Sequence, residues 1–257
     1  DAKNLAVAVN CPTSMRIDEI CACLNAKAFR AEVGEANVVN LAREKRSEGF
    51  NVRIFGEGSN GGNITYPSAV RDPVATIFAL LKTLALRDTK NKIGLFHLWC
   101  KMSGQEKKYK DNFTLDDVIS TLPEYTTTGV SESRAVLQVK MQDKGKLKEN
   151  FKKEFILSWE EKKEQLKNEY GIASDEAFTT HGTKETAADQ NWNNANGGLK
   201  VKFMDSSKQP VAFIWMRPSG TEPVFRIMCD VKGNGTQEEK ALLEWETELL
   251  QKADIES

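Results

Sequence analysis

The chain has 257 residues, with 36 Lys+Arg against 37 Asp+Glu and a formal net charge of -1. That balance argues against a general polyanion binder, though not against a local basic pocket, and the length suits one large domain or two ordinary ones. The composition, 40% apolar and 28% charged, is that of a soluble globular protein, with no apolar run of membrane-spanning length and no signal-peptide layout in the first residues.

Two histidines, His97 and His181, argue against a His-rich metal site or a His-based triad. The five cysteines are odd in number and form no C-x-x-C pair. They read as reduced core residues of a cytoplasmic protein.

Residues 5–9 alternate small and apolar side chains and predict a strand. Thr13 or Ser14 then caps a helix whose apolar side is Ile17, Ile20, Cys21 and Leu24. A second strand covers 29–33, followed by a helical stretch through Val38, Val39 and Leu41. A third, 51–55, runs into the glycine cluster 56–62. Asp72-Pro73 is an N-cap and N1 pair opening a helix whose predicted buried side is Val74, Ile77, Phe78 and Leu81. This alternation predicts an α/β domain with a mostly parallel sheet over residues 1–95.

From about Asp88 the pattern turns polar and lysine-rich. Thr114-Leu115-Asp116-Asp117 predicts a capping box on a short helix, and residues 96–130 read as a linker. Beyond it a strand covers 133–139. A long helix follows, with Leu147, Phe151, Phe155 and Trp159 four apart and Gly171 closing it. Residues 174–198, rich in Thr and Asn, read as an extended surface loop. Strands at 199–203, 211–216 and 224–231 precede a capping box at Thr236–Glu239 and a last helix burying Leu242, Trp245 and Leu249. Residues 131–257 therefore predict a small α+β domain, an antiparallel sheet flanked by helices.

Two segments carry chemistry. Arg217-Pro218-Ser219-Gly220-Thr221-Glu222-Pro223 lies between two predicted strands. Arg217 offers a planar fork of donors for an anion, Ser219 and Thr221 add hydroxyls, and Gly220 permits a nest of backbone N–H groups. Arg226 adds a second cation. From chemistry alone the segment is equally a rigid turn with an exposed arginine. In Gly56-Glu57-Gly58-Ser59-Asn60-Gly61-Gly62, four glycines allow close backbone approach, and Glu57 with Ser59 could read vicinal sugar hydroxyls. In isolation this second segment reads more simply as a flexible loop. It lacks the lysine of a P-loop, and it matches the dinucleotide fingerprint only in part. Arg71-Asp72 downstream reads most simply as a helix cap, a supporting contact to the loop being the lesser reading.

In this order the two segments resemble the α-D-phosphohexomutases, the phosphoglucomutase/phosphomannomutase family. The R-P-S-G-T-E-P loop of that family's fourth domain matches Arg217–Pro223, followed by Arg226. Its G-E-x-S-G sugar loop matches Gly56–Ser59, departing at Asn60. Arg71-Asp72 looks like the R-D opening the next helix. Val33-Gly34-Glu35 sits where some members carry a histidine close to the substrate, and Gly197–Val201 resembles the entry to the last domain's core strands.

The resemblance implies a mutase that passes a phosphoryl group from a phosphoserine to one end of a hexose phosphate and recovers one from the other, with Mg²⁺. It also implies that this chain is most of a third domain plus a fourth. Glu57 and Ser59 would then bind the sugar, and Arg217, Ser219, Gly220, Thr221 and Arg226 the phosphate. The T-A-S-H-N-P and D-G-D-x-D-R segments that carry the nucleophile and metal ligands do not occur in this sequence. The chain is accordingly expected to hold neither catalytic nor metal-ligating residues, to bind hexose phosphate beside N-terminal domains of the same polypeptide, and to engage neither nucleic acid nor membrane. A non-catalytic sugar-phosphate-binding or regulatory module is the alternative.

Overall fold

The computed structural model describes residues 3–60, 62–188, 192–220 and 222–255. Contacts divide the chain into two units, Asp1–Phe29 with Gly34–Glu124, and Arg30–Val33 with Tyr125–Ser257.

In the first unit, strand and helix alternate: β1 (Leu5–Asn10), α1 (Arg16–Cys23), β2 (Lys27–Ala31), α2 (Glu35–Ser47), β3 (Asn51–Glu57), β4 (Gly62–Thr65) and α3 (Pro73–Ala85). The last residues of β2 group with the second unit. The sheet order is β2-β1-β3-β4. β1 and β3 are parallel, and α2 is the crossover that parallel pairing requires. Its buried stripe of Val38, Val39, Leu41 and Ala42 meets the small and β-branched residues of β1 and β3.

β4 returns antiparallel to β3 with Glu57 opposite Gly62, so the glycine cluster is the turn of a tight hairpin. Gly56 sits at φ +150°, and a Cβ there would come within 2.2 Å of the Gly62 carbonyl oxygen. Only glycine permits that approach.

Two local expectations in this unit are corrected. The N-cap position of α1 is Met15, without a side-chain hydrogen bond of its own; Thr13 is engaged elsewhere, and Ser14 Oγ accepts from Arg16 N, the first amide of the helix, at 3.2 Å. Asp72 does cap α3, accepting from Ala75 N at 3.0 Å. The predicted buried side of α3 is nevertheless exposed, Val74 by 57% and Phe78 by 64%. A helical stripe shows that a face is apolar, not that an element lies against it, and β4, four residues at the sheet edge, is too short to cover it.

Residues 96–130, read as a linker, carry structure of their own: α4 (Leu95–Met102), α5 (Leu115–Ile119) and β5 (Tyr125–Thr127). Phe96, Cys100 and Phe113 form a small core there. Thr114 and Asp117 make the reciprocal capping box on α5.

The second unit continues with β6 (Val136–Gln138), α6 (Lys144–Tyr170), β7 (Ser174–His181), β8 (Lys184–Ala187), β9 (Leu199–Met204), β10 (Pro210–Pro218), β11 (Val224–Lys232) and α7 (Thr236–Ala253). Its seven-stranded sheet has the order β5-β11-β10-β9-β7-β8, with β6 also on β11. Every strand pairing resolved within it is antiparallel. Alternate residues of β9, β10 and β11 face a core shared with α6 and α7, where Phe155 stacks among Trp159, Phe203 and Trp245. Gly171 closes α6 in the left-handed conformation, φ 68°.

The predicted loop 174–198 instead supplies the hairpin β7–β8. Its Thr-rich, polar character suits strands toward the sheet edge, where one face stays wet. At the start of α7 the N-cap is Gly235 with no side-chain cap, because Glu239 turns inward to Arg134 and Thr128. Among the described residues no helix is long and apolar enough to cross a membrane. No disulfide links the five cysteines.

Candidate functional site

Two loops hold the residues singled out by sequence, one in each unit. In the first unit Glu57 ends β3, where its side chain is buried. Its Oε1 accepts from Gly34 N at 2.7 Å and Asn10 Nδ2 at 3.3 Å, and its Oε2 accepts from Arg71 Nη2 at 2.5 Å. The carboxylate is thus fully engaged by the protein, and it anchors the hairpin.

Ser59 is half-buried and accepts from Asn10 Nδ2 at 2.8 Å. Thr13 holds the same turn, donating to Asn10 Oδ1 at 2.6 Å and accepting from Gly58 N at 3.1 Å. Both readings of Arg71-Asp72 hold: Asp72 caps α3, and Arg71 makes the supporting contact to the loop. Its guanidinium bridges Glu57 and Glu35, with Nε 3.0 Å from Glu35 Oε2. A Cβ on Gly62 would lie 2.4 Å from Arg71 Cδ, so that glycine makes room for the arginine stem. Beside this turn opens a mostly apolar cavity of about 790 Å³, bordered by Val9, Ile54, Phe55, Arg71 and Ile77.

In the second unit Arg217 and Arg226 stand directly opposite each other in the β10–β11 register. Directly opposed residues share one face of a sheet, and like charges placed so repel. Both point away from the core face, which takes their neighbours Met216, Phe225 and Ile227. Arg226 is exposed and donates to the Val130 carbonyl at 3.3 Å. Arg217 is partly exposed, its Nε 3.0 Å from Glu32 Oε1.

The loop between the strands is pinned by Ser219 N donating to Val224 O at 2.8 Å. A Cβ on Gly220 would meet no atom within 4 Å, so packing does not demand a glycine there. Thr221 lies outside the described residues. Sequence reasoning missed Asn10, Glu32 and Lys148 and read Thr13 as a helix cap; all four support these loops from distant positions. The double glycine 197–198 was the one local signal of close packing beside Glu32.

Among the described residues no three His, Cys, Asp or Glu side chains are grouped to hold a metal ion. No curated protein matches the chain. Residues 1–98 match the family model described as phosphoglucomutase/phosphomannomutase, alpha/beta/alpha domain III, and residues 99–257 lie outside that match. Residues 1–98 are thus similar to that domain of the phosphoglucomutase/phosphomannomutase family.

Proposed function

We propose that this chain supplies the binding half of a phosphohexomutase that interconverts hexose 1-phosphate and hexose 6-phosphate. In this reading the turn 56–62 orients the sugar and the loop 217–223 holds the phosphate that is not being transferred. The observation that carries the reading is the opposed pair Arg217 and Arg226. Two guanidinium groups on one face, with open space at Gly220, make a place that an anion would stabilise.

Ser219 and Thr221 add hydroxyl donors to that anion. Ser59 presents the polar edge of the sugar turn, while Glu57 acts through the shape of the turn, its carboxylate being taken up by Gly34, Asn10 and Arg71. The Mg²⁺ implied by the resemblance finds no fitting ligand set among the described residues. The seryl nucleophile and the metal ligands belong to other domains of such an enzyme, and the chain by itself binds without turning substrate over.

The test is a titration of the chain with inorganic phosphate, followed by amide chemical shifts. Shifts should map to 217–226, weaken as salt rises, and vanish in Arg217→Ala. Shifts elsewhere, or persisting in that variant, would remove the assignment. A coupled assay with hexose 1-phosphate, bisphosphate activator and Mg²⁺ should stay at blank, and protein-dependent turnover would overturn the division of labour.

A further inference from the structure

We infer that Glu32 is a positioning residue for the phosphate site, holding the Arg217 guanidinium by its Nε edge so that both terminal nitrogens face the ligand. The inference rests on the phosphate reading of Arg217 and goes beyond it. Glu32 follows β2 within the segment 30–33 that groups with the second unit, and its side chain is only 8% exposed.

Three donors fix the carboxylate. Oε1 accepts from Val33 N at 2.8 Å, and Oε2 accepts from Thr180 Oγ1 at 2.5 Å and Gly198 N at 2.6 Å. A carboxylate held this way stays in one rotamer and carries its charge to a fixed point. At that point lies Arg217 Nε, itself buried and 3.0 Å from Oε1, in ion-pair contact without hydrogen-bond geometry. Among the described residues Glu32 is the anion that Arg217 meets, and its Nη1 and Nη2 have no protein partner there. A guanidinium anchored by Nε keeps its outer fork for a second, planar-matched anion.

The surrounding fold is shaped to make this contact. Gly198 enters β9 with its N–H toward Glu32, and a Cβ there would come within 2.7 Å of Trp215 Nε1 and 3.0 Å of Thr180 Oγ1. The turn before it is propped by Lys148, fully buried, whose Nζ donates to the carbonyls of Asn194 and Gly197. Burial pushes the Lys148 ammonium down to about 8, Glu32 opposing that and Arg217 adding to it. One cluster thus links a buried lysine, a glycine turn, a carboxylate and the phosphate arginine.

Glu32→Gln is the test, because Gln keeps an acceptor for Thr180 and Gly198 while removing the charge. The readouts are inorganic phosphate affinity and the Arg217 Nε–Hε resonance, assigned by its loss in Arg217→Ala. The wild type should show that resonance protected from exchange. In Glu32→Gln it should shift and exchange faster, and the phosphate dissociation constant should rise about three- to tenfold, the cost of re-ordering one freed side chain. An unmoved resonance, or phosphate affinity equal to or tighter than wild type, overturns the inference. If Glu32→Gln does not fold, the wild-type resonance decides: protection supports the assignment, and exchange at the rate of a solvated arginine refutes it. Phosphate shifts surviving Arg217→Ala would instead strike the phosphate reading, leaving the Nε contact to be judged by its own signal.

Discussion

The two loops handle charge in opposite ways. Around the turn 56–62, Glu57 and Glu35 face Arg71, and the donors of Asn10 and Gly34 complete the set. Both oxygens of Glu57 are taken up by these donors, so the turn is held by its own hydrogen bonds. On the β10–β11 hairpin, Arg217 and Arg226 face each other, and Glu32 counters one of them from the side. A charged group whose hydrogen bonds are met within the protein builds structure, whereas one that keeps open donors on a fixed scaffold selects a ligand.

If this contrast holds, substitutions in the first turn should cost stability, and those in the second should cost binding alone. The largest expected effect is Gly56→Ala. The backbone angle and the 2.2 Å approach to Gly62 leave no room for a methyl group, so unfolding free energy should fall by on the order of 3 kcal/mol, read by urea denaturation. Next is Glu57→Ala, which strips three donors of their acceptor and should cost about 1–3 kcal/mol. Native-state hydrogen exchange should show the loss around 56–65, and an unchanged exchange pattern there would return Glu57 to a purely ligand-facing role.

Much of this was legible in the sequence, for reasons that differ by residue. Asp72-Pro73, Thr114 with Asp117, and Gly171 act within one turn of backbone, so their spacing already states their geometry. The stripe Leu147, Phe151 and Phe155 is a face requirement, met by the core. The exposed side of α3 and the β7–β8 hairpin were not legible, since what lies beside an element is set by topology. The same limit hid Glu32 and Asn10, each of which has decisive partners more than forty residues away. The opposed arginines were half legible: both were singled out, but their facing depends on strand register.

Two smaller effects sharpen the comparison. Glu246 on α7 is a buried carboxyl whose two oxygens have no hydrogen-bond partner, the reverse of Glu57. Burial pushes its titration well above 4.5. The folded state therefore holds a proton that the unfolded state releases, and stability falls as pH rises above about 4.5 toward the folded value. Glu246→Met should remove that slope and raise stability at pH 7; parallel urea midpoints for variant and wild type across pH 4.5–7 would refute it. The smallest effect is Arg226→Ala. Relieving the like-charge pair should leave the melting midpoint unchanged or slightly higher without phosphate, while reducing the rise that added phosphate produces. A clear drop in the phosphate-free midpoint would mean that Arg226 is structural.

α3 has a practical consequence for anyone handling the protein. Along Pro73–Ala85, Lys82 is the one charged side chain, and none of the thirteen residues is buried. A rod so oily at its surface should take up a hydrophobic dye in the native state, without the loosened packing that such fluorescence usually signals. Dye-based melting curves should therefore start from a bright baseline, and intrinsic tryptophan emission or circular dichroism is the better probe for the stability measurements above.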